Sequence, residues 1–118
     1  MTPPRPTLAI SIRQPYVEAI LRGIKKKEYR SRLTHVRGLV YLYASLKDGN
    51  YDLFRRQIKA NPGDLPTGLI LGTVEITDCV FIEKYGEYGY VLRNPHRLKR
   101  PLRPLNQPQP VFWRPVFK

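Results

Sequence analysis

Acidic residues are scarce in this chain. Its 118 residues include nine Asp plus Glu against 21 Lys plus Arg, a formal net charge of +12. A domain this basic repels itself, and a polyanionic partner is the usual reason to tolerate that. Solubility alone explains it poorly, because surplus Lys and Arg serve solubility less well than Asp and Glu. Cysteine is almost absent: Cys79 stands alone, so no intrachain disulfide can form and a reducing compartment is expected. It lies in the apolar run VEITDCVFI, where a packed thiol is expected rather than a nucleophile. Two histidines and one cysteine, scattered along the chain, make no zinc site, and neither a metal nor an organic cofactor is expected. Neither an apolar leader core nor a membrane-length apolar run occurs, so a cytoplasmic chain without a membrane partner is expected.

Against these shortages stands an ordinary globular balance, 42% hydrophobic and 25% charged. The length suits one domain over residues 1–118, with the Pro-rich MTPPRPT (residues 1–7) as a loose lead-in. LAISIR alternates Leu8, Ile10 and Ile12 as a half-buried strand does. Pro15 suits the first position of a helix over residues 15–22, with Val17, Ile20, Leu21 and Ile24 at helical spacing and Gly23 at its C-terminal cap. KKKEYRSR reads as extended, and LVYLYAS, apolar on both faces, as a central strand. YDLFRRQIKA predicts a short second helix with Phe54 and Ile58 inward. LILGTVEITDCVFI is the longest strand signal, with Gly72 marking a bulge or corner. YGYVLR adds another strand. From Asn94 onward there are six prolines, six Lys or Arg and no acid, which argues against regular helix or central sheet. The closing VFWRPVF predicts an edge strand, with Trp113 and Tyr29 helping to fill the interior. The expected class is α+β: a small mixed β-barrel of five to six strands with two short helices.

One carboxylate sits inside the densest basic run. Glu28 is surrounded in sequence by Arg22, Lys25, Lys26, Lys27, Arg30 and Arg32, with His35 and Arg37 just beyond. Period-two geometry places Glu28, Arg30 and Arg32 on one face and Tyr29 on the other. Two roles fit Glu28 equally: an ion pair bracing turn to strand, or an acceptor for a base edge. Lys25 and Glu28 are also the candidate catalytic pair, if there is one. Gln14 suits capping of the first helix, with lining a cleft as the alternative. Tyr16 reads as a core or rim aromatic, with base stacking as the functional alternative. Lys26, Lys27, Arg32, Ser45 and Lys47 are candidate phosphate contacts, and the second basic run, Arg97, Lys99, Arg100 and Arg103, widens the footprint or is a solvated loop.

SIRQPYVEAILRGIKKKEYRS, RGLVYLYAS and PTGLILGTVEITDCV together resemble the activating signal cointegrator homology (ASCH) domain, a PUA-like β-barrel. The matching positions are Gln14 and Pro15, then Gly23, Lys25, Glu28 and Arg30, then Gly72, Asp78 and Cys79, with Asn94–Pro95 and FWRP as counterparts in the coactivator branch. The resemblance implies a cleft between barrel and first helix that takes nucleic acid or a nucleotide. One bacterial branch removes the acetyl group of acetylcytidine with a lysine, a threonine and a glutamate. Lys25 matches the lysine, Glu28 stands where the threonine would be, and the catalytic glutamate has no counterpart. The expectation is therefore a monomeric nucleic-acid binder, RNA favoured over DNA, with Gln14, Lys25, Glu28 and Arg30 supplying selectivity. The alternatives are a hydrolase on a modified nucleoside or RNA (acetylcytidine amidohydrolase-like or ribonuclease), and a protein-interaction adaptor of the transcription-coactivator type.

Overall fold

Six strands and two short helices form a mixed α+β fold in a computed structural model that describes residues 5–118. Most of the expected lead-in lies outside the described residues. The strands are β1 (Ala9–Ile12), β2 (Lys27–Arg30), β3 (Gly38–Ala44), β4 (Leu69–Ile82), β5 (Glu87–Leu102) and β6 (Phe112–Trp113). They form one sheet in the order β2-β5-β4-β3-β1-β6. β1 pairs with β3 in parallel, and the remaining pairs are antiparallel.

The two-sided apolar pattern of β3 has a direct cause. Val40, Leu42 and Ala44 join Ile10, Ile12, Val74, Ile76 and Leu92 in the main core, which the first helix covers. Tyr41 and Tyr43 point the other way, into a second cluster with Ala9, Ile70 and Trp113. The C-terminal segment covers that side: Trp113 meets Tyr43, and Phe117 meets Tyr41, both edge to face. A strand buried on both faces loses the usual alternation of apolar and polar residues.

Helix α1 (Tyr16–Leu21) is held at its start by Gln14, whose Oε1 accepts the Glu18 N–H at 3.0 Å. The Gln14 Nε2 donates to the Pro66 carbonyl at 3.0 Å, so the capping role is the observed one and the amide is fully buried. Gly23, at φ 76°, ends the helix in the left-handed conformation that a side chain rarely adopts. The second helix is shorter than expected: a 3₁₀ turn (Tyr51–Phe54) leads into α2 (Arg55–Ile58), with Ile58 buried and Phe54 half-buried.

Three sequence expectations need correction. The sheet is not closed into a barrel by backbone pairing: β2 and β6 are its two edges. Side chains bridge the gap instead. Arg30 on β2 donates to the Ser11 carbonyl on β1 at 2.7 Å, and Tyr90 on β5 stacks on Phe112 of β6. Second, β5 continues through the proline-rich stretch to Leu102, paired with β4. Its partner β2 ends opposite Tyr88–Val91, so beyond that point β5 is an edge, where prolines cost no ladder bond. The register slips near Asn94, at φ 53°, and again near Gly72. A Cβ at Gly72 would run into the His96 carbonyl oxygen and the Leu21 side chain, so β5 and α1 both approach closely there. Third, Tyr29 is 39% exposed and rests on Tyr85, outside the interior. Cys79 is a free thiol packed against the main core. No helix among the described residues is long and apolar enough to cross a membrane.

Candidate functional site

A cavity of about 560 Å³ opens beside the unclosed seam of the sheet. Glu28 and Arg30 from β2 form one wall, with Ser11 on β1 beyond them. Tyr16 on α1 and Tyr43, Ser45 and Lys47 in and after β3 form another. Arg13 lies at the mouth, and residues 107–110 roof the far side. Ser11 ties that roof down. Its N–H donates to the Val111 carbonyl at 2.9 Å, and its Oγ donates to the Gln109 carbonyl at 2.8 Å while accepting the Trp113 Nε1–H at 2.9 Å.

Glu28 is buried in this wall, its side chain 8% exposed. Arg30 Nε donates to its Oε2 at 2.9 Å, and Lys25 Nζ lies 3.6 Å from Oε1. A solvent-exposed ion pair is therefore excluded. Arg30 divides its guanidinium between this carboxylate and the Ser11 carbonyl, which sets its orientation. Lys25 occupies a slot between two rings, 5.6 Å from the centre of Tyr16 and 5.0 Å from that of Tyr29. Burial pushes its ammonium below the usual lysine range, and the Glu28 carboxylate opposes that shift. Lys25 thus stands behind the Tyr16–Glu28 wall rather than in the large cavity.

Tyr16 is locked in place. Its hydroxyl accepts the Asn50 N–H at 3.0 Å, its ring meets Phe54 edge to face, and Gly49 packs on it so closely that a Cβ would collide. Of the candidates named from sequence, the fold gathers Tyr16, Glu28, Arg30, Ser45 and Lys47 around one cavity, with Lys25 adjoining. Gln14 is buried as a cap. Lys26 lines a smaller pocket at the end of α1, while Lys27 alternates with Glu28 to the opposite face of β2, and Arg32 lies beyond that strand's end. Lys99 and Arg100 are exposed on the outer stretch of β5. Ser11, Arg13, Tyr43 and the 107–110 roof escaped the sequence reading. Nothing in periodicity marks them, because the long-range seam brings them together.

Arg97 has a structural partner. Its Nη1 and Nη2 donate to Glu18 Oε1 and Oε2 at 3.1 and 2.8 Å, and Arg22 Nε donates to Oε2 at 2.7 Å. Buried Glu18 therefore pins the outer part of β5 to α1. Burial alone would raise its carboxyl pKa, but hydrogen bonds and charge from Arg97 and Arg22 together outweigh that and hold it below the ordinary 4.5. A carboxyl lowered in the folded state stabilises fully above its unfolded pKa, and that gain disappears as pH falls through the folded value. The stability gap between the parent and Glu18→Gln is therefore expected to be widest above about pH 4.5. It should narrow at lower pH in denaturant titrations. A gap independent of pH would show that the two arginines do not act through the charge.

Comparison with known proteins accords with this architecture. The ASCH domain family model matches residues 10–101. Activating signal cointegrator 1 from Homo sapiens and from Mus musculus are each 32% identical over 88 residues, covering 66% of this chain and 15% of theirs. The chain thus spans about 15% of the length of these curated relatives. The crystal structure of ASCH from Zymomonas mobilis superposes with a TM-score of 0.62 at 15% identity, over 91% of this chain and 85% of that one, a likeness of fold. With the family model covering most of its length, from β1 through β5, the chain belongs to the ASCH domain family.

Proposed function

We propose that the chain binds nucleic acid, RNA in preference to DNA, by admitting a base to the large cavity while surrounding cations hold the phosphates. The observation that carries this reading is a buried carboxylate, Glu28, facing an open cavity that Arg13, Arg30 and Lys47 also line. An ionised carboxylate only accepts hydrogen bonds, so the group it meets must donate, as the amine edge of a base does. The nearby cations favour the phosphates of the same ligand, in keeping with the net charge of +12. Membership in a family with a PUA-like fold of the RNA-binding type favours RNA. Tyr16, rigidly held at the wall, offers a ring against which a base can rest.

The hydrolase reading draws on the lowered pKa of Lys25. Its ammonium, however, is occupied by Glu28 and two aromatic rings and does not line the large cavity, so binding without turnover is the favoured function. An adaptor role of the kind the relatives' name describes would rest on whole proteins of which this chain spans about 15%.

The test is anisotropy with labelled single- and double-stranded RNA and DNA across a salt series, with mass analysis of the recovered ligand. Contact with roughly five phosphates on a single strand predicts a slope of log K against log salt of about −3.5. Single-stranded RNA should bind most tightly and be recovered unchanged. A flat salt response, or no binding at low salt, overturns the proposal, and a mass change in the ligand replaces binding by hydrolysis.

A further inference from the structure

A second concavity, of about 240 Å³, lies where the C-terminal end of α1 meets β4 and β5. Its floor is apolar, made by Ile20, Val74 and Leu92, and three cations, Lys25, Lys26 and Arg93, line it without any carboxylate. Lys26 and Arg93 are exposed, and among the described residues neither has a carboxylate within 4.0 Å. Glu75, opposite Arg93 in the ladder, accepts from the Asn94 side-chain amide through Oε1 at 2.9 Å instead. Like charges gathered at one concavity repel each other. An anion seated among them removes that repulsion and accepts charge-assisted hydrogen bonds.

The two concavities share no lining residue, and Lys25 is the partition between them. Lys25 lines the small pocket while its Nζ contacts Glu28 in the wall of the large one. Because that ammonium is already paired, the cations left for an anion are Lys26 and Arg93. Gly23 and Asn94, both left-handed, turn the backbone where they line the pocket.

We propose that the small pocket is a phosphate subsite, taking the phosphate of the nucleotide next to the one whose base enters the large cavity. This rests on the nucleic-acid reading and adds a defined position for the strand: it passes over Lys25, from the seam of the sheet to the end of α1. Lys26 and Arg93 are the contact residues. Of the second basic run on β5, Arg97 is held by Glu18 and is not one of the contacts on this path.

The test combines Lys26→Ala, Arg93→Ala and, as a control on α2, Arg56→Ala, with binding of a short labelled single-stranded RNA followed over salt. One phosphate contact on a single strand contributes about 0.7 to the slope of log K against log salt, or about fourfold in affinity near 0.15 M salt. Lys26→Ala and Arg93→Ala should each lower the slope by about that amount while Arg56→Ala leaves it unchanged. Amide resonances of Lys26, Arg93 and Asn94 should shift on RNA addition. If RNA binds with the parental slope in both variants and only resonances around Ser45 and Lys47 move, the subsite is overturned and the wider reading stands. If no RNA binds, the wider reading fails, and a titration with pyrophosphate alone then decides the pocket. Shifts at Lys26 and Arg93 that vanish in Arg93→Ala support an anion site, and their absence overturns it.

Discussion

Val74→Asp is expected to abolish cooperative thermal unfolding near neutral pH, leaving a chain without a folded baseline. Val74 is fully buried on β4, opposite Val40 and within the main core. An ionised carboxylate there loses its hydration among apolar side chains such as Ile20 and Leu92. The cost of an unpaired buried charge is several kcal/mol, comparable with the roughly 5–15 kcal/mol that holds a small domain folded. Val74 also lies on the floor of the small pocket, which defines the opposing result. A cooperative melt near the parental temperature would mean that the carboxylate escapes through the pocket to Lys25 or Lys26, and that β4 is less tightly covered by α1 than its burial indicates. Circular dichroism against temperature distinguishes the two outcomes.

Glu28→Gln is expected both to destabilise the protein and to change which nucleic acid it prefers. The carboxylate holds Arg30 at 2.9 Å and Lys25 at 3.6 Å, and the side chains of Lys25 and Glu28 are 12% and 8% exposed. Neutralising one member leaves the other charges partly buried without their partner, at a cost of roughly 3 kcal/mol, within the range for broken buried pairs. This differs from the near-parental melting expected if Glu28 were merely a surface brace. The binding consequence is separate. A Gln side chain keeps one acceptor but introduces an N–H₂ donor, so a base that presents an amine should lose preference relative to one that presents a carbonyl. Competition between oligonucleotides differing only in base measures this directly. Parental stability together with parental preference would remove Glu28 from the site. Destabilisation without altered preference would make it a brace between Lys25 and Arg30 only.

Val74 and Glu28 lie in different parts of the molecule, yet both depend on the same packing. α1 covers the face of the sheet that contains Val74, and the turn after α1 delivers Lys25 to Glu28. Weakening the core beneath α1 should therefore loosen the ion group as well. Glu18 reinforces the arrangement from the other end, since it ties α1 to β5 through Arg97.

Much of this was legible in the residues themselves. The period-two run around Ile10 and Ile12, the two-sided apolar β3 and the long β4 declare themselves because burial on one or both strand faces leaves a local pattern. Pro15 and Gly23 bracket α1 through their own backbone preferences, and the isolated position of Glu28 among cations singled it out. The motifs that resemble the family lie in the same stretches. What the residues did not disclose depends on contacts between distant segments. The parallel pairing of β1 with β3, the sheet that curls without closing and the roof at residues 107–110 arise from long-range pairing, which leaves no periodic trace. The proline-rich half of β5 reads as irregular until the short length of β2 makes it an edge. Arg97 looked like a free cation in a basic run, and only the fold places it on Glu18, 79 residues away in sequence. Local propensity and periodicity determined the strands, the first helix and the candidate carboxylate. Only the tertiary structure decided that the carboxylate is buried, which cations face it and where the cavity opens, because burial and ion pairing depend on distances between segments that the linear order does not contain.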